Sequence, residues 1–468
     1  MTNRLRSRVV WYRDAPPLAR ERVSALFKGE TPALFEVAAE ERCALDIPTA
    51  PREEAIALLH VGAEVEHALM VQYLYAGYSL NENQPDPHKR TLVKRWKSAV
   101  LQIAREEMGH LTTVENMLTL IGGPLCFERE DYPIVDADLW PFAFELEPLT
   151  KASLGKYVLA EMPSEQVLEK LGLKKEIDEI KAYVRATEKV TVNRVGLIYE
   201  KIMRLFTAGP MVQGPPVAGV TDLHPFIATA DIQASSFPYQ ADASAWGLGQ
   251  EDILIETARD RPSALSAVNA IALQGEGSDV EADLTKSHFG KFLAIYREFP
   301  GSGDWQPSRN VAINPTTNRR VSDPQRRIEG EAAVWASLAN VRYRMLLMYL
   351  KHSFYIEGTS STKSPRGSLV SWAFGEMYNI RSVSEILMSL PLRPGSDLAA
   401  GPPFEMPYTL ALPARNADRW RTHRDSLTAS IELVGKMLVP GQTHERYLRA
   451  LRTADQTALE QITALIGA

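Results

Sequence analysis

One segment of this chain, Leu101–Ile121, constrains its fold most, because it reads as a long helix with two chargeable residues in an apolar stripe. Glu107 and His110 are three residues apart, so in a helix their side chains leave the same face. The rest of that face is apolar: Val100, Ile103, Ala104, Leu111, Val114, Met117, Leu118 and Ile121. Burying a charge there is costly unless something pairs with it. A Glu-x-x-His pair that faces inward is typical of half a two-metal site in a helical bundle. Alone, the pair is more simply explained as a buried ion pair or a chance match.

A second predicted helix, Ile56–Leu80, also carries an acid in its apolar stripe. The apolar members of that stripe are Leu59, Ala63, Leu69, Met70, Tyr73 and Gly77. Glu66 lies among them, whereas Glu64 falls roughly opposite and is expected to be solvated. Glu106, beside Glu107, is likewise expected to be ordinary surface. Two adjacent long helices, each with an acid buried at mid-length, favour a metal site over chance.

Composition limits the classes of protein to which the chain can belong. It has 468 residues, of which 45% are hydrophobic and 24% charged, as expected of a soluble globular protein. A net charge of −6 argues against a nucleic-acid surface. Cys43 and Cys126 are the only cysteines, so we expect no disulfide framework and a reducing compartment. The sequence has neither the apolar core of a signal peptide nor a membrane span, and we therefore expect a cytoplasmic protein without a membrane partner.

Helical patterns continue to the end of the chain, and no useful length alternates with strand periodicity. Further helices are predicted at Pro17–Phe27, Leu154–Glu161, Glu176–Phe206, Leu254–Gln274, Ser287–Phe299, Arg327–Tyr355, Ser368–Leu390, Arg419–Leu438 and Thr443–Ile466. We therefore predict an all-α fold. We divide it into an N-terminal lead-in (1–51), a metal-binding bundle (52–300) and a C-terminal helical region packed on that bundle (301–468).

Three other features bear on a site. The Pro- and Gly-rich excursion Ala208–Trp246 has the aromatic content of a pocket wall. Glu161 ends a short helix, and we interpret it as a helix-end carboxylate in preference to a group supporting a site. Tyr73 and Tyr75 lie near the Glu66 turn and are interpreted as core aromatics in preference to electron or proton donors.

Several motifs resemble one family in their order along the chain. They are GAEVEHALMVQYLYAGYS, REEMGHLTTVENMLTLIGGP, ALQGEG, SHFGKF and AGPPFEMPYTLALP. Together, from about Ile56 to the C-terminus, they resemble the ferritin-like family that includes the C-terminal part of the iminophenyl-pyruvate dimer synthases of violacein and indolocarbazole biosynthesis. The resemblance implies a ferritin-like four-helix bundle, elaborated by a long loop excursion and a C-terminal helical region. The first two helices also resemble bacterioferritin, where a ligand Glu precedes Gln-Tyr as Glu66 precedes Gln72-Tyr73 here.

The resemblance implies a set of ligands. Glu66, Glu107 and His110 would hold one metal, and Glu276 and His288 the second, with Glu107 and Glu276 as candidate bridges. The stripe of apolar residues that leads onto Glu276 agrees with this assignment.

One position departs from the family pattern. The family often has Gly-Glu-Phe-Tyr on its third long helix, and that Glu is the expected terminal ligand of the second metal. Here the segment reads Gly-Leu-Ile-Tyr, and Leu197 cannot bind a metal. Glu200 or Glu161 substitutes for it, or the second site is weak, or the protein is mononuclear.

Carboxylates and imidazole with open positions suit iron, mononuclear or dinuclear, with manganese as a competitor. Our first hypothesis is a metal-dependent oxidoreductase: a non-haem iron oxidase or oxygenase that uses dioxygen on a small organic substrate in natural-product biosynthesis. The alternatives are a metal-binding, ferroxidase-like protein and a non-catalytic pathway scaffold with a degenerate metal site. The C-terminal helices would obstruct a storage cage, so we expect a monomer or small homo-oligomer. We also expect a largely apolar cavity that reaches the Glu66–His110 site.

Overall fold

Helices account for almost all regular structure in the described part of the chain. The computed structural model describes residues 9–11, 43–45, 50–134, 142–207, 226–243, 253–278, 280–301, 305–358, 364–406 and 409–467. The helices are α1 Pro51–Ser79, α2 Pro87–Leu120, α3 Lys151–Ala160, α4 Glu165–Lys170, α5 Lys174–Glu188, α6 Gly196–Phe206, α7 Arg261–Glu276, α8 Glu281–Leu284, α9 His288–Glu298, α10 Glu331–Ser353, α11 Pro365–Leu387, α12 Asn416–Met437 and α13 Glu445–Gly467. Two short 3₁₀ turns, Thr229–Asp231 and Ala234–Tyr239, lie between α6 and α7. No described helix is long and apolar enough to cross a membrane.

The N-terminal helices form one bundle around a shared core. Helix α1 packs along the length of α2, and α6 packs against both α1 and α7. Helix α9 packs against α3, α7 and α2, which closes the bundle around the centre of α2. This arrangement confirms the predicted all-α class and packs these helices around one buried region.

Local chemistry at the helix ends explains where the elements begin. The Asp86 carboxylate accepts the backbone N–H of His88 at 2.7 Å, so α2 begins at Pro87. In the same way, the Asp260 side chain accepts the N–H of Ser263 at 2.9 Å and starts α7. The sequence prediction had placed the start of that helix at Leu254, before the capping residue.

The predicted single helix Glu176–Phe206 is wrong, because the structure has two helices there. Helix α5 ends at Glu188, and Lys189 adopts a left-handed backbone conformation with φ of 57°. The β-branched run from Val190 to Val192 follows, and such residues have lower helix propensity than straight-chain ones. Helix α6 begins only at Gly196, and the break changes the direction of the chain beside the bundle centre.

The lead-in contains an antiparallel pair of three-residue strands, β1 Val9–Trp11 and β2 Cys43–Leu45. The sequence did not predict this pair. The helix predicted at Pro17–Phe27 lies outside the described residues, as does much of the Ala208–Trp246 excursion.

The C-terminal helices pack on one another and onto the bundle. Helix α10 packs against α11 and α12, and α12 packs against α13. The segment after the bundle is joined to the end of α1, where Asn81 N–H donates to Pro307 O at 2.9 Å and Arg309 N–H donates to Ser79 O at 2.8 Å. Lys97 of α2 also forms an ion pair with Glu385 of α11. These contacts cover one side of α1 and α2.

A buried arginine connects four C-terminal helices. Arg342 of α10 lies 3.0 Å from the Glu376 carboxylate of α11 and 2.8 Å from the Asp455 carboxylate of α13. It also donates to Ser430 of α12, whose hydroxyl in turn donates to Asp455 at 2.8 Å. All four side chains are buried, so the guanidinium compensates two carboxylates that have little access to water.

We predict that Arg342→Ala destabilises the protein by about 3–5 kcal/mol, because it leaves two buried carboxylates without their cation. Thermal unfolding followed by circular dichroism measures the loss. The matched control is Arg344→Ala on the same helix; Arg344 is exposed, and its loss should change stability by about 0.5 kcal/mol or less. Equal effects of the two substitutions would contradict the assignment.

Candidate metal centre

Three chargeable side chains meet at the centre of the bundle. Glu107 and His110 project from the middle of α2, and His288 is the first residue of α9. One ligand atom from each of these buried residues lies within 4.8 Å of the other two. The rings of His110 and His288 have centroids 5.2 Å apart. This spacing can hold a single cation between a carboxylate and two imidazoles.

Glu66 of α1 joins this group on the His110 side. His110 Nδ1 lies 2.8 Å from Glu107 Oε2 and 3.4 Å from Glu66 Oε2, so both carboxylates approach the same nitrogen. The Tyr199 hydroxyl of α6 donates to the other oxygen of Glu66. His110 Nε2 lies 2.9 Å from Gln274 Oε1. The structure thus brings together the three residues that the sequence assigned to a first metal.

His288 lies between two adjacent acids of α2. Its Nδ1 is 3.0 Å from Glu107 Oε1, and its Nε2 is 3.0 Å from Glu106 Oε2. Lys291 Nζ, 2.8 Å from the same Glu106 oxygen, completes this ion cluster. The expectation that Glu106 is ordinary surface is therefore wrong: the side of α2 that carries it is covered by α9, and the residue is buried.

The expectation that Glu64 is solvated is also wrong. Its side chain is buried on α1, with Oε1 3.9 Å from Cys126 Sγ. The prediction from helical periodicity assumes that a helix has one buried side and one solvent-exposed side, whereas most of α1 is enclosed on all sides.

Glu161, interpreted from the sequence as a helix-end carboxylate, lies beside the same group. It is the C-cap of α3 and is buried. The Tyr73 hydroxyl donates to its Oε1 at 2.6 Å, and its Oε2 lies 3.9 Å from His288 Nδ1. The signal available in the sequence was the apolar stripe that Glu161 ends, but the turn of the chain that aims it inward is set by tertiary packing.

Glu276, at the end of α7, lies at the edge of the same group. Its Oε1 accepts from Arg194 Nη1 at 2.9 Å, and its side chain is 16% exposed. The carboxylate lies directly against the backbone of Gly196, where an added Cβ would be 1.6 Å from Oε1. Only glycine fits at that position while Glu276 keeps this conformation.

The two candidate substitutes for the missing ligand at Leu197 differ clearly in position. Leu197 is itself buried in α6. The Glu200 side chain is 50% exposed and pairs with Arg194 at 2.7 Å, whereas Glu161 is buried beside His288. Of the two acids, Glu161 is therefore the one placed to supply a carboxylate to the centre.

Burial and mutual charge shift the pKa values of these groups. Burial and the nearby Glu107 charge raise the pKa of Glu66 to about 7 and that of Glu161 to about 8. Burial opposes the protonated form of His288, but the carboxylates of Glu107, Glu106 and Glu161 together outweigh it and raise the pKa to about 9. Glu107 likewise raises the pKa of His110, while both imidazoles hold the pKa of Glu107 well below its usual range despite its burial. Protons on the two histidines thus compensate the central carboxylate.

The oxygen and nitrogen atoms of these side chains also indicate that a metal cation fits between them. At the centre, four buried atoms have no hydrogen-bond partner among the described residues: Glu66 Oε2, Glu107 Oε1, and both ring nitrogens of His288. The close approaches of His288 to its acids therefore lack the alignment of hydrogen bonds. Carboxylate oxygens and imidazole nitrogens that converge without hydrogen bonds suit a first-row divalent metal.

A small cavity of about 20 Å³ opens between the acids, lined by Glu66, Leu69, Glu107, His110, Glu161, Val195, Gly196, Tyr199, Ile271, Ala272, Gly275 and Glu276. It holds roughly one water-sized sphere. We expected a large apolar cavity at the Glu66–His110 site, but the cavity of about 310 Å³ lies elsewhere, and none of its described lining residues lines the small one.

Comparison with known proteins identifies relatives of the chain. Residues 59–297, about half of the chain, match the model of the ferritin-like family. Dichlorochromopyrrolate synthase of Lentzea aerocolonigenes is 25% identical over 398 residues, which cover 77% of this chain and 36% of that protein. The 2-imino-3-(indol-3-yl)propanoate dimerase of Chromobacterium violaceum is 23% identical over 387 residues, covering 76% of this chain and 34% of the relative. The chain thus spans about a third of the length of these curated relatives.

A search of solved structures finds a ferritin-like protein from Caulobacter vibrioides. It is 17% identical, with a TM-score of 0.40, and the match covers 72% of this chain and 97% of that one. Together the family match and the two curated relatives confirm the resemblance inferred from the motifs.

The positions of Glu161 and Glu200 generate a prediction about metal stoichiometry. Because the centre offers Glu161 in addition to the predicted ligands, we expect anaerobic titration with Fe(II) or Mn(II) to give two tight equivalents per chain. Glu161→Gln should lower this to about one, since it removes a charged ligand while keeping the shape of the side chain. The control Glu200→Gln should leave both equivalents in place.

One result would contradict this assignment. If the parent protein binds one equivalent and Leu197→Glu raises the number to two, then Glu161 does not replace the missing ligand.

Proposed function

This chain belongs to the ferritin-like family, and we propose that it is a metal-dependent oxidoreductase acting on a small organic molecule in natural-product biosynthesis. The observation that carries the proposal is the buried group of carboxylates and imidazoles with unpartnered donor atoms at the bundle centre. Strongly shifted pKa values in a buried, concave place are typical of functional sites.

We propose that Glu66, Glu107, His110, His288 and Glu161 hold the metal, with Glu276 available once it leaves Arg194. Iron fits this set of oxygen and nitrogen donors, and manganese competes for the same ligands. When bound, such a metal supplies the activation of dioxygen and the oxidation of an organic substrate. Loading at neutral pH would require His110 and His288 to lose the protons that they hold in the metal-free site.

The residues around these ligands support the proposal by fixing their positions. Tyr199 and Tyr73 each donate a hydrogen bond to one carboxylate oxygen, of Glu66 and of Glu161 respectively. Each hydrogen bond leaves the second oxygen of the same carboxylate facing the centre. Buried apolar neighbours keep water from the carboxylates, which strengthens every electrostatic interaction between them.

The names of the curated relatives suggest the kind of substrate. One is a dimerase of 2-imino-3-(indol-3-yl)propanoate and the other a dichlorochromopyrrolate synthase. We propose by analogy that this chain takes an imine derived from an aromatic amino acid. Because the chain spans only about a third of those proteins, the coupling reaction as a whole belongs to the proposal as well.

A second candidate function has one specific observation in its favour. The cavity beside the ligands measures about 20 Å³, which admits a water or a dioxygen molecule more readily than an organic substrate. A ferroxidase-like protein that oxidises iron alone needs no larger space. Against a storage cage, the C-terminal helices cover one side of α1 and α2, which supports a monomer or small homo-oligomer.

Oxygen consumption separates the two candidates. The anaerobically iron-loaded full chain would be exposed to air with and without the imine of indole-3-pyruvate, formed in place from the keto acid and ammonia. An oxidoreductase should consume oxygen continuously with the imine, and mass spectrometry should detect an oxidised or coupled product. His288→Ala should abolish this turnover by removing a ligand that contacts Glu107.

Two results would count against the proposal. Oxygen uptake that stops when the bound iron is oxidised, with or without the imine, would favour the ferroxidase-like function. A chain that holds no metal after loading would favour a non-catalytic scaffold.

A further inference from the structure

A second cavity lies where the C-terminal helices meet the bundle. It measures about 310 Å³, within the range of small-molecule binding sites. Its walls come from α1, α2, α10 and α11, together with Ile253 and Phe404. The apolar lining residues are Met70, Leu74, Leu101, Ala104, Met108, Ile253, Leu346, Phe374, Met377, Ile380 and Phe404. An enclosed space with such walls favours a ligand with an apolar body.

This cavity is separate from the candidate metal centre. Among the residues that the structure describes, the two spaces share no lining residue. On α2, Leu101 and Met108 line the larger cavity, whereas Glu107 and His110 line the smaller one, so the two spaces lie on different faces of the same helix. A ligand in the larger cavity would therefore not need the metal in order to bind.

The polar groups of the inner wall are largely satisfied by the protein. The Tyr343 hydroxyl accepts from Arg129 Nε at 3.1 Å and from Nη2 at 3.0 Å, and it also contacts His67 Nε2. Burial raises the pKa of Tyr343 to about 12, so its ring remains neutral. The inner part of the cavity thus offers mainly van der Waals contact to a ligand. A charged group of that ligand would have to bind outside this inner part.

The mouth of the cavity provides that recognition through positive charge. Lys94, Arg105 and Arg381 line it and are exposed to solvent. Among the described lining residues, Glu82 is the one carboxylate, and it lies 3.5 Å from Lys97, which also pairs with Glu385. The mouth therefore carries an excess of positive charge in a chain whose net charge is −6. Such a local reversal of sign attracts anions.

We propose that this cavity binds a lipophilic carboxylate, with its apolar body between α1, α2, α10 and α11 and its carboxylate at the cationic mouth. Aromatic and Met side chains in the wall accept either a ring system or an alkyl chain. The chemistry of the site is the same for both bodies: apolar contact inside and a charge-assisted interaction at the entrance.

The experiment uses the full-length chain and the fluorescent anion 1-anilinonaphthalene-8-sulfonate as the probe. We expect one probe bound per chain, with an affinity that falls as salt is added, because exposed charges are screened. Naphthalene-2-carboxylate and decanoate are the two competitors. Displacement by the first alone assigns a ring-shaped body, and displacement by the second alone assigns an alkyl chain. The neutral naphthalene-2-carboxamide should compete about tenfold less well than the matching acid, because it lacks the charge.

Two variants locate the binding site. Arg381→Gln at the exposed mouth should weaken binding of the acid about threefold, whereas the control Arg421→Gln, an exposed arginine of α12 outside the lining, should not. Met377→Trp fills the cavity and should abolish probe binding, with folding verified by circular dichroism. The number of metal ions bound per chain should be unchanged in Arg381→Gln. A loss of anion binding is therefore distinguishable from a loss of the proposed metal function.

The proposal is overturned if the carboxamide competes as well as the acid, or if Arg381→Gln binds like the parent. Absence of saturable probe binding at one site per chain would also overturn it.

Discussion

Negative charge buried at the centre of the bundle is the constraint on which the rest of this structure depends. Glu66, Glu107 and Glu161 lie within one enclosed region, and carboxylates cannot stay ionised there without compensation. Protons on His110 and His288 provide part of that compensation, while burial and the charge of Glu107 still raise the pKa values of Glu66 and Glu161. The geometry that leaves donor atoms without hydrogen bonds is costly for a purely structural ion cluster. A bound cation would satisfy these atoms together.

The C-terminal region has two consequences for how the bundle can work. It covers one side of α1 and α2, and its own helices are joined by the buried Arg342 cluster. Where it meets the bundle, it also encloses the larger cavity, on a face of α2 different from that of Glu107. The proposed oxidation chemistry and the proposed binding of an organic anion would therefore occupy separate spaces, divided by the two longest helices of the bundle.

The inward-facing polar residues could be predicted from the sequence because helical periodicity alone places Glu66, Glu107 and His110 in apolar stripes. The burial of Glu106 could not be predicted, because a single helix does not reveal that α9 covers its second face. Glu161 was undervalued for a similar reason: a C-cap side chain is directed by the path of the chain beyond the helix. The break after Glu188 left a local signal in the β-branched residues that follow it, but the prediction of a single long helix did not take that signal into account.

Crystals of the full chain soaked anaerobically in Mn(II) test the central claim most directly, through anomalous scattering from the manganese. The account predicts two anomalous peaks among the side chains of Glu66, Glu107, His110, Glu161 and His288, with ligand atoms about 2.0–2.3 Å from each ion. The histidine side chains should turn from their acids towards those peaks. An anomalous map with no peak among these residues, from protein that otherwise binds manganese in solution, would contradict the account.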